Sequence, residues 1–198
     1  MKLYLDAKHL QEVAISNQKR YKEAAPFPHI VLDGLLSEGA LDGVLNEFPS
    51  INDAVWQQYK TPFEGKFETQ GEDKLGLFTN FLLYQFNSAP FLRFLETLTG
   101  IDGLIPDPYF FGGGLHQIPK GGKLGIHADY SRHGKLKLDR RLNVLIYLNK
   151  NWQEDYGGHL ELWNSSMSEC VSRILPIYNR MVIFTITDWN FHGHPDPL

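Results

Sequence analysis

The stretch Gly125-Ile126-His127-Ala128-Asp129-Tyr130 decides how this chain is read, together with Phe191-His192-Gly193-His194-Pro195 near its far end. In extended backbone, side chains two residues apart share a face. Extension over 125–130 therefore aims the His127 imidazole and the Asp129 carboxylate at one point, with Ala128 turned away. A further imidazole from the distant segment, His192 or His194, completes three ligands on one side of a metal and leaves the opposite positions open. The long excursion between the two segments calls for strands that return to one place, as in a barrel.

The sequence around these segments has that texture. Leu142 to Leu148 is a continuous apolar run, expected as a central strand. Gly157-Gly158 opens His159 to Trp163, whose alternating polarity predicts a half-buried strand with His159 and Glu161 on its polar face. Val171 to Leu175 and Met181 to Thr187 read as two more strands, with Leu115 to Ile118 and Leu124 to Tyr130 before them. Short strands separated by turn residues point to a sandwich or barrel.

The first half reads differently. Leu10, Val13, Ala14, Asn17 and Tyr21 fall at helical spacing, predicting a helix over about 6–24. Pro26 and Pro28 then enforce extended backbone, and His29 to Leu32 is a short strand closed by Asp33-Gly34. Ser37 caps a second helix that stops before Pro49. Residues 50–76 are polar with scattered aromatics and carry no clear pattern. Leu77 to Phe86 reads as helix, and another starts at Ser88, with Pro90 in its first turn, and ends at Gly100. The expectation is one α+β domain over 1–198, with 1–105 mainly helical support and early strands and 106–198 the β core. The N-terminal helices are expected to buttress one sheet.

The totals fit a globular chain: 198 residues, 42% hydrophobic and 21% charged. A net charge of −4 argues against a nucleic-acid partner. The single cysteine, Cys170, excludes an internal disulfide or a thiol-based metal cluster. The start, Met1 to Asp6, has no sustained apolar run of the kind a signal peptide needs, and no stretch is apolar enough to span a bilayer. A cytoplasmic protein without a membrane partner is expected.

Taken in order, His127-x-Asp129, the run Arg141 to Asn149 with Trp152 after it, Gly157-Gly158-His-Leu-Glu-Leu-Trp163, Asn179-Arg180-Met-Val-Ile-Phe184 and Phe191-His-Gly-His-Pro195 resemble the prolyl-hydroxylase-like branch of the 2-oxoglutarate/Fe(II)-dependent dioxygenases. The resemblance covers roughly residues 108–198. It implies a double-stranded β-helix (jelly-roll) core and metal ligands at His127, Asp129 and His192, with His194 the competitor for the third place. The set matches the facial triad of two histidines and one carboxylate. The resemblance implies Fe(II), 2-oxoglutarate and O2 as cofactor and cosubstrates, with ascorbate an optional reductant. It places cosubstrate contacts at Tyr147 and Gln117. The reaction implied is C–H hydroxylation coupled to decarboxylation of 2-oxoglutarate. The substrate would be a small molecule or a peptide or protein, prolyl residues and small amino-acid-like compounds among them.

One departure stands out. The family draws a cation for the distal carboxylate of 2-oxoglutarate from a strand after the third ligand, and here the sequence ends at Leu198, so the core is expected to be cut short at its C-terminus. Arg173 or Arg180 is a candidate substitute. Two rivals follow: a β-helix that binds a metal or ligand without catalysis, and a Zn(II) hydrolase on the same three residues.

Other conspicuous residues have plainer readings. His116, His133 and His159 are not expected as ligands, and Tyr147 also reads as a buried core tyrosine. Gly112-Gly113-Gly114 lacks the helix start and lysine of a phosphate loop and reads as a turn. Lys135, Lys137, Arg140 and Arg141 make a solvated basic loop. The resemblance puts a substrate lid there, so Arg132 or Arg140 is expected to meet a substrate carboxylate.

Overall fold

The computed structural model describes residues 3–198; Met1 and Lys2, at the head of the stretch read for a targeting signal, lie outside them. The chain divides into two compact units.

The first unit comprises Met1–Glu23, Leu36–Gln57 and Glu68–Leu115. It holds helices α1 (Ala7–Lys22), α2 (Glu38–Asn46), α3 (Leu77–Phe86) and α4 (Ala89–Thr99). The helices form where expected, although Ser37 starts α2 without the side-chain cap bond expected of it. Asp6 accepts from the amides of Lys8 and His9 at the start of α1, and Gly100 ends α4 in the left-handed conformation that glycine adopts without strain. α1 and α4 pack together through Leu10, Ala14 and Tyr21 on one side and Phe91, Phe94, Leu95 and Leu98 on the other. Gln11 and Gln18 fasten the pair by donating to the Thr97 hydroxyl and carbonyl at 2.8 and 2.7 Å. The start of α3 is capped from a distance. Glu47 accepts from the Phe78 and Thr79 amides and the Thr79 hydroxyl at 2.9, 2.8 and 2.9 Å. Among the described residues no helix is long and apolar enough to cross a membrane.

The second unit, Ala24–Leu35, Gln58–Phe67 and His116–Leu198, is built of strands. β1 (His29–Asp33), β9 (Arg180–Thr185) and β6 (Leu142–Tyr147) form one antiparallel sheet in the order β1-β9-β6. β5 (Leu124–His127), β10 (His192–His194), β7 (Leu160–Trp163) and β8 (Cys170–Ile174) form a second, in the order β5-β10-β7-β8. Phe27, Val31, Leu145, Val182 and Phe184 meet Leu160, Leu162 and Ile174 between the two sheets in one apolar core. The patternless residues 50–76 supply β2 (Trp56–Lys60) and β3 (Gly65–Thr69), a hairpin that joins β4 (His116–Gln117) in a third sheet. Its turn reaches the ligand-bearing strand, where the Gly125 amide donates to the Phe63 carbonyl at 2.7 Å. Helix and sheet together make an α+β fold.

Three sequence expectations are corrected. β6 is not central: it pairs with β9 alone, lies at the sheet edge, and all six of its residues are half-buried. A continuous apolar run reports two covered faces, and β6 turns Leu145 and Tyr147 to the core, but it says nothing about the strand's two edges. His159 and Glu161 are not on a wet face, being 7% exposed each. Glu154 covers the first at 2.8 Å, while Arg173 and Trp163 bond the second at 3.2 and 3.0 Å. Finally, β5 stops at His127, so Asp129 stands just past the strand end.

Candidate metal centre

Register brings the two histidines together. His192 of β10 is the direct cross-strand partner of His127 of β5, and their ring centroids lie 4.6 Å apart. β10 can come so close because its middle residue is glycine: a Cβ on Gly193 would stand 2.7 and 2.8 Å from the carbonyl oxygens of Gly125 and Leu124. Asp129 then turns in from the loop. One oxygen lies 3.6 Å from His127 Nε2 and the other 3.7 Å from His192 Nε2. One ligand atom from each of the three residues falls within 4.8 Å of the others.

The tautomers follow from the backbone. His127 Nδ1 lies 2.8 Å from the Gly125 carbonyl and His192 Nδ1 lies 3.1 Å from the Asn190 carbonyl. A carbonyl accepts, so each Nδ1 carries a proton and each Nε2 is the ring atom turned toward the carboxylate. Separations of 3.6 and 3.7 Å are too long for hydrogen bonds. Two ring nitrogens and a carboxylate thus converge on one place without closing on one another. This donor set therefore fits a metal, and ring nitrogens tied to backbone carbonyls are the usual support of metal-binding histidines.

Burial would lower the His127 imidazole, but Asp129 and the Gly125 carbonyl raise it above its ordinary value. Burial alone would push the Asp129 carboxyl up, but His127, His192 and Arg140 bring it down to about 2. Burial pushes the His192 imidazole down, against the pull of Asp129, and so keeps it unprotonated. Phe184 packs on the His192 ring, centroids 4.7 Å apart, and closes the inner wall.

His194 goes elsewhere. A register shift separates it from His192, and it lines a cavity of about 50 Å3 with His159, Glu161 and Arg173. Its Nδ1 is buried with no partner among the described residues, and burial pushes its pKa down to about 4. His116, His133 and His159 also lie outside the cluster.

Sequence reading missed Asn143, whose Nδ2 donates to Asp129 at 2.9 Å. The available signal was a lone polar residue in an apolar strand, four positions before Tyr147 and so on the same face. Register extends that face across the sheet: Asn143–Phe184–His29, Leu145–Val182–Val31, and Tyr147–Arg180–Asp33.

Tyr147 makes no hydrogen bond from its hydroxyl among the described residues, and burial pushes its pKa up while Arg180 pulls against it. A half-buried Gln117 on β4 has an amide oxygen sealed from water with no partner among the described residues. Turned over, that amide would offer a donor in the same place. The sealed amide lacks the partner that buried groups normally have, and with the unbonded Tyr147 hydroxyl it suits a polar ligand. Of the two arginines considered for its carboxylate, Arg173 is bound to Glu161. Arg180 forms a double hydrogen bond to Asp33, 2.7 Å each, and gives a third to the Leu175 carbonyl at 3.0 Å.

Comparison with known proteins agrees with this geometry. The structure resembles a prolyl hydroxylase from Trichoplax adhaerens in complex with a hypoxia-inducible-factor peptide fragment (TM-score 0.67, 15% identity, 96% of this chain and 86% of that one). It also resembles a Pseudomonas putida prolyl-4-hydroxylase (0.62, 14%, 93% and 91%) and a Phytophthora capsici prolyl 4-hydroxylase (0.61, 20%, 100% and 63%). No curated protein sequence matches the chain. The fold is thus one used by prolyl hydroxylases. Residues 113–197 match the family model of the 2OG-Fe(II) oxygenase superfamily, which marks this stretch as a 2-oxoglutarate- and Fe(II)-dependent oxygenase domain.

Proposed function

We propose that the chain hydroxylates a prolyl residue of a peptide, or a small amino-acid-like compound, with Fe(II) held by His127, Asp129 and His192. The observation that carries this reading is the convergence of an imidazole Nε2 from each of two paired strands and one carboxylate, with ligand atoms within 4.8 Å of one another. The sheets β1-β9-β6 and β5-β10-β7-β8 would be the two layers of a double-stranded β-helix around the site. The prolyl assignment rests on the likeness to the Trichoplax, Pseudomonas and Phytophthora enzymes.

Bound there, Fe(II) with 2-oxoglutarate supplies an oxidant for C–H hydroxylation as the cosubstrate is converted to succinate and CO2. The protein's part is to position and to shield. Asp129 would serve as a ligand and not as a general base, because a carboxyl held at about 2 is a poor proton acceptor and Asn143 fixes one of its oxygens. Tyr147 and Gln117 would take the polar end of the cosubstrate, with the positive field of Arg180 beside Tyr147. Phe184 keeps water from the inner side of His192.

The test is anaerobic loading followed by O2 in the presence of a prolyl peptide. Succinate should form and the peptide should gain one oxygen atom, with both lost in Asp129→Ala. Full turnover in that variant, or turnover with Zn(II) in place of Fe(II), would overturn the proposal.

A further inference from the structure

The three ligands are not held alike. His127 and His192 each give an Nδ1 proton to a main-chain carbonyl, that of Gly125 at 2.8 Å and that of Asn190 at 3.1 Å. Main-chain acceptors persist whatever side chain they carry. The turn that supplies the second is itself tied down, since the Asn190 amide donates to the Thr185 carbonyl at 2.6 Å. Asp129 lacks support of this kind. β5 ends at His127, and residues 128–130 take no regular structure, so the backbone alone does not set how the carboxylate is turned. Among the described residues a single hydrogen bond reaches that carboxylate, from Asn143 Nδ2 to Oδ2 at 2.9 Å.

Asn143 is in turn fixed, and from the other sheet. It is half-buried on β6 and pairs in register with Phe184 of β9, whose ring packs on His192. Its amide has one way to meet an ionised carboxylate, with the N–H outward, because such a carboxylate accepts and does not donate. A hydrogen bond to a charged acceptor is among the strong ones. The bond engages Oδ2, the oxygen 3.7 Å from His192 Nε2. It leaves Oδ1, 3.6 Å from His127 Nε2, without a hydrogen bond among the described residues.

We propose that Asn143 is a positioning residue that reserves Oδ2 of Asp129, so that the carboxylate meets the metal through Oδ1 alone. The inference rests on the metal centre proposed above. A carboxylate that binds through one oxygen takes one place at a metal, and one that binds through both takes two. Freed from the amide, Asp129 can turn and offer both oxygens, and the second competes with 2-oxoglutarate for a place. The asparagine thereby keeps the site open without touching metal or cosubstrate.

The test uses the full chain under anaerobic conditions. Asn143→Leu removes the amide at nearly constant size, and Asn143→Gln keeps an amide on a longer arm. Asn143→Ser, too short to reach, replaces the leucine variant should that one fail to fold. At saturating Fe(II), 2-oxoglutarate should bind Asn143→Leu about tenfold more weakly than wild type, in the range that loss of an outer partner of a metal ligand costs. Asn143→Gln should recover most of that affinity. Co(II) in place of Fe(II) reports its coordination through visible absorption, and the cosubstrate-free spectrum should change in Asn143→Leu and stay near wild type in Asn143→Gln. An asparagine that merely fills space would leave that spectrum unmoved. Wild-type cosubstrate affinity in Asn143→Leu, an unchanged Co(II) spectrum, or a loss in Asn143→Gln as large as in Asn143→Leu overturns the inference while leaving the metal centre standing. Failure of the wild-type protein to take up Fe(II) and 2-oxoglutarate overturns the metal reading, and this inference with it.

Discussion

β6 and β10 invert what their sequences suggest. β6, Leu142–Tyr147, is among the most apolar stretches of the chain, yet it lies at a sheet edge with every residue half-buried. β10 is only His192-Gly193-His194, yet it sits between β5 and β7, with His192 5% exposed. Hydrophobicity tells which faces of a strand are covered. Position within the sheet is set by which backbones can approach, and for β10 that is decided by a glycine. The polar strand therefore carries a ligand, and the apolar one carries Asn143, which bonds Asp129.

The largest effect should come from emptying the inner strand of its imidazole. His192→Ala, like His127→Ala, should abolish Fe(II) retention and turnover, read by metal analysis after gel filtration. His194→Ala should retain iron, because its ring lines a different cavity. Filling the strand's gap comes next. Gly193→Ala drives a methyl against two carbonyl oxygens and should cost about 1–3 kcal/mol in denaturant unfolding of the metal-free protein. Val144→Thr on the outer face of β6 should cost less than about 1 kcal/mol. Equal losses would remove the distinction drawn between the two strands.

A smaller change is expected from the inward face of β6. Tyr147→Phe should weaken 2-oxoglutarate binding by roughly five- to tenfold, the loss of about one hydrogen bond, and leave Fe(II) affinity unchanged. Unaltered cosubstrate affinity would reduce Tyr147 to a core residue.

The smallest lies in the helical unit and depends on pH. Burial raises the Glu47 carboxyl, but the bonds from Phe78 and Thr79 outweigh it and hold its pKa below the ordinary 4.5. A depressed pKa gives stability that is present above the unfolded value and is lost as pH falls through the folded one. Glu47→Gln should therefore be less stable than wild type near pH 7 by about 1 kcal/mol or less. The gap should close as pH falls below 4.5. A gap independent of pH would mean that the carboxylate charge contributes nothing to the α3 cap.

Much of this was legible in advance, for identifiable reasons. α1, α2, α3 and α4 follow from local periodicity, caps and proline, which need no knowledge of distant residues. The strands from β5 onward show in their turn residues, and His127, Asp129 and His192 stand out through the His-x-Asp spacing and the later His-Gly-His. What stayed hidden depends on partners far along the chain. The β2–β3 hairpin is polar and is registered by Lys123 and Leu124. Burial of Glu161 depends on Arg173, and that of His159 on Glu154. Asn143 acquires a role only once Asp129 has turned in from beyond the strand end.

The most direct test of the metal centre is an anaerobic titration with Fe(II) and then 2-oxoglutarate, following the visible metal-to-ligand charge-transfer band of the chelate. The band should form in the wild-type protein and in His194→Ala and be absent in His192→Ala. A band that survives in His192→Ala, or that disappears in His194→Ala alone, would contradict the assignment of β10 as the strand that supplies the third ligand through His192.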